Sequence, residues 1–313
     1  MNILLSAIAG DIGFGAGRIL RSWGWLGEIH GVDLHSLHPG PVIFDKVGIA
    51  PPATATPYLK WLENYVTRHE VQIFIPTSEA ELALFAAKNL SSINGAKILI
   101  NSPGTISVSL DKLACMSFLA EKGLAVPDNG LVGEADPKLF PVIVKPRFGR
   151  GGRGVKRINS KSEFKKRAIK GEVWQEYLSP EDGEYTCAIY RGNHNQTRTL
   201  SLKRELHYGS TSRGEVVFDT EIDRYLTQIA EALNVNGAIN VQLRLTNRGP
   251  RLFEINPRLS STLVFRDKMG FQDLRWWLAD ALGTHQTPPL AEVSRPAVGT
   301  QFFRGSTEYI IHP

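Results

Sequence analysis

The first third of the chain alternates short apolar runs with amphipathic segments, and this alternation restricts the possible folds more than any other feature. The runs NILLSAI, GEIHGVD, VQIFIPT and AKILIN have the length and composition of strands, and the segments between them repeat apolar residues at helical spacing. Strands that alternate with helices build a parallel sheet with helices packed on it. We therefore predict a doubly wound α/β fold for residues 1–105.

The rest of the chain mixes strands and helices without this regularity. A helix over SLDKLACMSFLAEKGL is expected to begin after Asp111, a favourable N-cap, and to stop at Gly123. Further strands are expected at FPVIVKP, GVKRI, VWQEYL, EYTCAIY, AINVQLRL and RLFEIN, and further helices at SEFKKRAI and EIDRYLTQIAEAL. This second part is therefore predicted to be of the α+β class.

The composition limits the kinds of molecule that the protein is expected to bind. The chain has 313 residues, 42% of them hydrophobic, and a formal net charge of +5, which favours anionic small molecules. The basic residues are scattered and are not interleaved with aromatic residues, so no nucleic acid partner is expected. With two distant cysteines, no signal peptide and no apolar run long enough to span a bilayer, we expect a cytoplasmic protein without a membrane partner.

A glycine-rich segment, GDIGFGAG, joins the first strand to the first helix. With Asp33 downstream, it suggests a dinucleotide-binding turn, but the position that should hold the third glycine is Arg18. Three interpretations stay open: a tight strand-to-helix turn, a nicotinamide site, or a phosphate or carboxylate resting on the start of the helix. A nicotinamide-dependent oxidoreductase is thus one alternative function.

The strands INVQLRL and RLFEIN are joined by TNRGP, a sequence typical of a turn. Alternation along the second strand predicts Phe253 and Ile255 on one face, with Glu254 and Asn256 on the other. Arg258 and a run of hydroxyl residues follow directly.

The pairing of these strands can be predicted from the turn. If the hairpin is centred near Arg248, Gln242 lies opposite Glu254 and Asn240 lies opposite Asn256. Such oxygen ligands suit a Mg²⁺ ion that also binds substrate phosphates. A metal next to a cation and hydroxyl groups suits phosphoryl transfer, whereas a solvated polar face is the structural alternative.

A second glycine-rich segment, VIVKPRFGRGGRGV, places Lys145 at the end of a strand. Its glycines are Gly149, Gly151, Gly152 and Gly154, and Arg150 and Arg153 lie between them. Glycines allow backbone N–H groups to approach phosphate oxygens and allow a loop to close as a lid. No Gly-Lys-Ser/Thr follows, so this is not a Walker A motif, and a flexible basic hairpin without function is the alternative interpretation.

Four segments follow one another along the chain: LDKLACMSFLAEKGLAVP, FPVIVKPRFGRGGRGV, WQEYLSPEDGEYTCAIY and NVQLRLTNRGPRLFEINPRLSST. In this order they resemble the motifs of the ATP-grasp superfamily, especially its carbamoyl-phosphate-synthetase-like and biotin-carboxylase-like members. The resemblance implies a Rossmann-like pre-ATP-grasp domain at 1–105, a lid subdomain at 106–178 and a C-terminal subdomain with the metal site at 179–313. The chain lacks the biotin-carboxylase C-terminal domain and a second ATP-grasp half, so those two activities are not expected.

The resemblance also implies roles for individual residues in ATP binding. Lys112 and Lys145 resemble the lysines that reach the phosphates, and the loop from Gly149 to Gly154 resembles the lid. Glu184 matches an acidic residue near the ribose. The hinge that reads adenine corresponds to Glu176, Tyr177 and Leu178.

For the metal, the resemblance implies that Gln242, Glu254 and Asn256 hold two Mg²⁺ ions, with Mn²⁺ as a substitute. Arg258 matches an arginine that steadies the transferred phosphoryl group, and we expect it to be catalytic together with Lys145. The implied reaction is ATP-dependent ligation, in which a carboxylate becomes an acyl phosphate and an amine, or less commonly a thiol, displaces phosphate. Alternatives are a kinase-like phosphotransferase and an inactive nucleotide-binding protein.

The substrate residues are less well defined by the sequence. LKRELHYGSTSRGEV carries Lys203, Arg204 and Arg213, cations that suit a carboxylate or the triphosphate; we assign Lys203 to ATP and the two arginines to the substrate. IPTSEAEL places Glu79 at the carboxyl end of a strand, where α/β sheets bind ligands, so Glu79 or Glu81 is a candidate for the amine. Ser260, Ser261 and Arg258 complete the expected substrate set. An amino acid or small acid is the expected substrate, and a homodimer is compatible with these features.

Overall fold

The computed structural model of the protein describes residues 1–149, 152, 154–181, 183–193, 195–207, 209–283, 295–305, 307 and 309–311. Within these residues the strands form three sheets, two of six strands and one of four. No helix among the described residues is both long and apolar enough to cross a bilayer.

The first sheet is built from the N-terminal part of the chain. Its elements are β1 Asn2–Ser6, α1 Asp11–Trp23, β2 Ile29–Asp33, a 3₁₀ turn Gly40–Val42, β3 Lys46–Ile49, α2 Tyr58–Arg68, β4 Val71–Ile75, α3 Glu79–Ala87, β5 Ser92–Ile93 and β6 Ala96–Ile98. The strand order is β3-β2-β1-β4-β6-β5, parallel except for the antiparallel β5. The predicted doubly wound α/β fold is confirmed, with β3 and β5 as additional edge strands.

Strand β3 was not predicted from the sequence, because Val47 and Ile49 in this strand are exposed and no buried run marks it. The turn before α1 is tight. A Cβ at Gly13 would lie 2.6 Å from the Ser6 carbonyl oxygen, so only glycine fits there. Asp33 accepts hydrogen bonds from the Ala9 and Leu34 amides at 2.8 and 2.7 Å. These contacts favour the tight-turn interpretation of the first glycine segment.

The second sheet is small and antiparallel, in the order β7-β10-β8-β9. This part of the chain contains α4 Pro103–Leu110, α5 Lys112–Glu121, β7 Asn129–Leu131, β8 Val142–Lys145, β9 Lys156–Ile158, α6 Lys161–Arg167 and β10 Val173–Glu176. Asp111 caps α5 as predicted, accepting from the Leu113 and Ala114 amides at 3.1 Å each. The helix ends just before Gly123, which has a φ of +78°.

The third sheet is also antiparallel, in the order β15-β14-β11-β12-β13-β16. Its part of the chain contains β11 Glu184–Arg191, β12 Thr197–His207, β13 Ser210–Val217, α7 Thr220–Ala232, β14 Gly237–Thr246, β15 Gly249–Asn256, α8 Leu263–Lys268, α9 Asp273–Leu282 and β16 Gln301–Phe303. One face packs on α5 and α7. The other face shares a core with α1, β1, α8 and α9, and this core joins the third sheet to the first.

Candidate active site

A cavity of about 460 Å³, here called the central cavity, lies where the second and third sheets face each other. Its walls come from β8, β10, β11, β12, β14 and β15, from the second glycine-rich segment, and from the residues that follow β15. Ile12 of α1 and Glu79 of α3 reach it from the N-terminal part. A cavity of this size is in the range that binds small molecules and cofactors.

The β14–β15 hairpin forms one wall, with the register that its sequence predicts. Gln242 pairs with Glu254 and Asn240 pairs with Asn256. The register shifts by one residue after Gln242, so that Leu243 lies opposite Leu252 and Phe253 is an additional residue in β15. This β-bulge moves the pairing of the outer half of the hairpin relative to the inner half.

The bulge corrects one prediction about faces. Alternation predicts Phe253 and Ile255 on one face and Glu254 on the other, but Phe253 lines the central cavity beside Glu254, whereas Ile255 lies in the core. Strict alternation fails because the two residues of a bulge occupy one position of the ladder. The shift also directs the Phe253 carbonyl to Lys145, which donates to it at 2.9 Å.

The expected metal ligands all line the central cavity. Gln242 Oε1 accepts from Arg204 at 3.1 Å, and Asn256 Oδ1 accepts from Arg258 at 3.2 Å. Across the part of the chain that the structure describes, no group of three His, Cys, Asp or Glu side chains is placed to hold a metal ion. With Glu254 as the one carboxylate among two amides, the donor set fits a Mg²⁺ ion that takes its other ligands from phosphates and water.

Lys145 is buried, with 7% of its surface exposed, on the floor of the central cavity. Its ammonium donates to Gln175 Oε1 at 2.8 Å and to the Phe253 carbonyl at 2.9 Å. Burial lowers the pKa of Lys145 to about 8, although the negative charge of Glu254 counteracts part of this effect. The site therefore holds a cation whose neighbours in direct contact are neutral oxygens.

Described residues of the second glycine-rich segment, among them Phe148, Gly149 and Gly152, form another wall, here called the glycine-rich wall. Lys112 donates from Nζ to the Gly149 carbonyl at 2.6 Å. Arg147 donates from Nε and Nη2 to the carboxylate of Asp111, at 2.7 to 2.9 Å. The segment is thus attached to the start of α5 at its base.

The three glycines of this segment that the structure describes have conformations that only glycine adopts freely. The φ angles of Gly149, Gly152 and Gly154 are +115°, +66° and +75°. Gly149 and Gly152 line the central cavity, whereas Gly154 packs near Pro146. The predicted ATP contacts of Arg150 and Gly151 fall outside the described residues.

The three predicted hinge residues, Glu176, Tyr177 and Leu178, follow one another along the cavity wall. The Glu176 carboxylate accepts from Arg248, and the Arg157 guanidinium lies 4.3 Å from the centre of the Tyr177 ring. The backbone is paired as well: the Glu176 and Tyr177 amides donate to the Asp128 and Pro141 carbonyls, and the Leu178 carbonyl accepts from Arg244.

Glu184, expected near a ribose, is held by two arginines. Its carboxylate oxygens lie 2.8 Å from Arg204 and 2.7 Å from Arg244. Burial acts to raise the pKa of Glu184, but the hydrogen bonds and charges of Arg244 and Arg204 outweigh it and hold the pKa below its ordinary value. Glu184 therefore reaches the cavity as a carboxylate that is already paired.

Arg258 lies where the N-terminal part meets the hairpin. Its Nη2 donates to Glu79 Oε1 at 3.0 Å and to Asn256 Oδ1 at 3.2 Å. Glu79 and Arg258 are 179 positions apart in sequence, so the ion pair joins two distant segments. Ser260 and Ser261 line the same cavity, and Ser260 Oγ accepts from the buried Arg266 at 2.7 Å.

The structure disagrees with three of the predicted site residues. Lys203 and Arg213 do not line the central cavity. Lys203 lies on the exposed face of β12, because the strand alternates and Arg204 has the inward position. Arg213 pairs with Glu205 in an exposed position. Glu81 is buried and accepts from Ser6, Tyr58 and Ser78, so it is not available to an amine.

Several cavity residues were not predicted from the sequence. Those with polar or aromatic side chains include Gln175, Thr186, Asn240 (predicted only as the partner of Asn256), Arg244 and Phe253. Thr186 Oγ1 donates to Asn240 Oδ1 at 2.9 Å, which joins β11 to β14 on the cavity side. Alternation along EYTCAIY and INVQLRL would have indicated Thr186 and Arg244, had the partner strands been known.

Comparison with known proteins agrees with this geometry. A family model described as an ATP-grasp domain matches residues 109–262, which include the glycine-rich segment, the hairpin and the hydroxyl run. The C-terminal section of the carbamoyl phosphate synthase large chain of Aquifex aeolicus is 25% identical over 201 residues. That match covers 56% of this chain and 37% of the Aquifex protein. The large chain of Campylobacter jejuni is 26% identical over 206 residues, covering 58% of this chain and 19% of that protein.

Solved structures with the same fold cover nearly the whole chain. N5-carboxyaminoimidazole synthetase from Staphylococcus aureus, complexed with ADP, has a TM-score of 0.73 at 19% identity and covers 92% of this chain and 78% of that one. L-amino acid ligase from Bacillus licheniformis has a TM-score of 0.71 at 14% identity, covering 94% and 77%. The predicted resemblance is confirmed at the level of the fold and of the domain at 109–262.

Proposed function

We propose, from the premise that residues 109–262 form an ATP-grasp domain, that this chain is an ATP-dependent ligase that activates a carboxylate as an acyl phosphate and joins it to an amine. One observation carries the proposal. The bulged hairpin brings Glu254, Asn256 and the buried ammonium of Lys145 to one wall of the central cavity, with Arg258 at its end. Anion-binding cations beside hard oxygen ligands suit phosphoryl transfer.

ATP is proposed to bind with its adenine along the backbone of residues 176–178 and its phosphates toward Lys145 and Lys112. Lys145 forms no ion pair among the described residues, so its charge is available to an anion. Lys112 is held by the Gly149 carbonyl and can exchange that bond for a phosphate oxygen. The backbone of the glycine-rich segment covers the phosphates from the other side.

Mg²⁺ is proposed to be held by Glu254 and Asn256, with Gln242 as a further ligand on the opposite strand. When bound, it neutralises charge on the β- and γ-phosphate oxygens. The chain positions these three ligands whether or not the ion is bound. The hairpin ladder fixes their oxygens, and Arg204 and Arg258 orient the amides of Gln242 and Asn256.

The proposed chemistry has two steps. A carboxylate oxygen of the substrate attacks the γ-phosphorus, the bond from phosphorus to the bridging oxygen breaks, and ADP leaves. The amine nitrogen then attacks the carbonyl carbon of the acyl phosphate, inorganic phosphate leaves, and Glu79 accepts the proton that the amine gives up. Arg258, between Glu79 and Asn256, stabilises negative charge on the acyl phosphate in both steps.

Product analysis tests the proposal. With Mg²⁺ and ATP, a ligase should release ADP and inorganic phosphate in equal amounts only when both a carboxylate and an amine are present. A phosphotransferase would form a phosphorylated product without free phosphate, and an inactive binding protein would form neither. ATP with Mg²⁺ should also raise the melting temperature, whereas NAD⁺ should not. Stabilisation by NAD⁺ but not by ATP would contradict the proposed nucleotide site.

A further inference from the structure

The hydroxyl run that follows the hairpin is attached to one buried arginine. Arg266 of α8 is 1% exposed, and its Nη1 donates to Ser260 Oγ at 2.7 Å and to Thr262 Oγ1 at 2.6 Å. Its Nη2 donates to the buried carboxylate of Asp273 at 2.5 Å, so the guanidinium is paired and held in place. None of the steps proposed above uses Arg266, Thr262 or Asp273.

The two hydroxyl groups also bond to each other, with Ser260 Oγ and Thr262 Oγ1 3.0 Å apart, and the distance alone allows either to be the donor. Thr262 decides between them. It is 2% exposed and does not line the central cavity, and within the described part of the chain its side chain bonds only to Ser260 and Arg266. Arg266 cannot accept a hydrogen bond, and a buried hydroxyl proton without an acceptor is costly. The Thr262 hydroxyl therefore donates to Ser260.

This assignment fixes what Ser260 can do. Its Oγ accepts from Thr262 and from Arg266, and these two bonds use both lone pairs of a serine oxygen. Among the described residues the Ser260 side chain forms no other hydrogen bond, and the residue lines the central cavity. Its own proton is therefore free, so Ser260 can donate a hydrogen bond there but cannot accept one.

The electrostatics of this donor favour an anion. A hydroxyl that accepts from a guanidinium and from a second hydroxyl is polarised, and it donates more strongly than an isolated hydroxyl. Arg258, two residues before Ser260, adds a guanidinium to the same cavity. An oxyanion bound there meets two kinds of donor, whereas a protonated amine finds no acceptor at Ser260.

We infer that Ser260 donates a hydrogen bond to the oxyanion of the reaction, and that Thr262, held by Arg266, is a positioning residue that directs this donor. The oxyanion is the substrate carboxylate or the phosphoryl group that it receives, since both accept hydrogen bonds in the same way. The role in the reaction rests on the proposed ligase function, but the binding of an oxyanion does not require catalysis.

NMR titration of the full chain with inorganic phosphate and with acetate, in the presence of Mg²⁺ and ADP, tests the inference without turnover. Ser260→Ala removes the donor, Thr262→Val removes the hydroxyl that directs it, and Thr262→Ser keeps that hydroxyl. The control is Thr105→Val. It removes a buried threonine hydroxyl that donates to the Leu233 carbonyl at 2.8 Å, outside the central cavity.

We expect wild type, Thr262→Ser and Thr105→Val to bind phosphate, acetate or both with similar affinity. Binding should be about tenfold weaker in Ser260→Ala and about threefold weaker in Thr262→Val. The double variant S260A/T262V should bind as weakly as Ser260→Ala, because Thr262 acts only through Ser260. It should nevertheless melt at a lower temperature, because Arg266 Nη1 loses both acceptors. The anion whose affinity falls identifies the oxyanion.

Three results would overturn the inference: neither anion binds wild type, Ser260→Ala keeps the wild-type affinity for both, or Thr262→Val and Thr262→Ser bind equally well. A further loss of affinity in the double variant would show that Thr262 acts through packing and not through Ser260. If the double variant does not fold, the comparison of Thr262→Val with Thr262→Ser decides the role of Thr262.

ADP release by the same variants separates this inference from the proposed function. If wild type releases ADP and phosphate with a substrate pair and Ser260→Ala equals it in turnover and in anion affinity, the ligase proposal stands and the role of Ser260 is wrong. If no substrate pair yields ADP while Ser260→Ala and Thr262→Val weaken anion binding as expected, the ligase proposal fails and the oxyanion site stands.

Discussion

The two walls of the central cavity differ in how they are held. On the hairpin wall, Asn240 and Asn256 are 2% and 6% exposed and are paired in the part of the strand ladder that precedes the bulge. On the glycine-rich wall, Phe148 is 61% exposed, and Gly149 and Gly152 have positive φ angles. Exposed segments with few buried contacts move at a lower energetic cost than core strands.

This difference suggests that the two walls have different roles in the reaction. The hairpin wall presents ligand oxygens at fixed positions, which electrostatic stabilisation of a transition state requires. In the proposed function, the glycine-rich wall closes over the phosphates and reopens. Changes to the hairpin wall should therefore affect the chemical step, whereas changes to the glycine-rich wall should affect closure, and the following predictions test that contrast.

The largest effect is expected for Glu254→Gln, which keeps the shape of the side chain and removes its charge. Turnover, measured as ADP release, should fall by about 10² or more, because the proposed metal loses its one charged protein ligand. The melting temperature without nucleotide should stay near that of wild type. Asn256→Ala should act in the same direction.

The matched control is Glu215→Gln, a partly buried glutamate of β13 outside the central cavity, which should leave turnover unchanged. Near-normal turnover in the Glu254 variant would contradict the metal assignment and leave the hairpin as a solvated polar face.

The next effect is expected for Arg258→Lys, with a fall in turnover of about twentyfold. The guanidinium donates through Nη2 to Glu79 and Asn256 and through Nη1 to the Leu259 carbonyl, and the compact ammonium of a lysine cannot reproduce this spread of donors. Arg275→Lys is the control, since Arg275 also pairs with a carboxylate, that of Asp267, but does not line the central cavity. Equal activity of the two variants would show that Arg258 serves only to join the segments.

Above pH 8, ATP affinity should weaken by up to about tenfold per pH unit, because the pKa of Lys145 is about 8 in the free protein. The sign follows from the charge: the ammonium binds the triphosphate, so rising pH removes the form that binds. Lys145→Arg should flatten this dependence, since a guanidinium stays protonated. Titration of ATP against the melting temperature at several pH values measures it, and a flat wild-type profile would contradict the assignment.

The smallest effect is expected on the glycine-rich wall. Gly152→Val should lower turnover about fivefold, because its φ of +66° disfavours a branched side chain and hinders closure. Gly171→Val is the control: Gly171 has a φ of +90°, is also in open space and lies outside the cavity. The two variants should melt at similar temperatures. A much lower melting temperature for the Gly152 variant would mean that the segment is a packed turn and not a lid.

Sequence alone determined the features that depend on local periodicity. Alternation and turn chemistry were sufficient to pair Gln242 with Glu254, and the side chain of Asp111 identified the start of α5. These predictions succeed because the face of a strand and the cap of a helix are set by neighbours in the chain. The order of the motifs also identified the fold.

Tertiary structure alone decided what depends on distant segments. The Glu79–Arg258 pair joins residues 179 positions apart, and the bulge that turns Phe253 into the cavity has no marker in RLFEIN. Lys203 and Arg204 are adjacent cations, yet only Arg204 lines the cavity, because the pairing of β12 selects the face. Likewise, the lowered pKa of Lys145 comes from burial, which only the packing of the sheets around it produces.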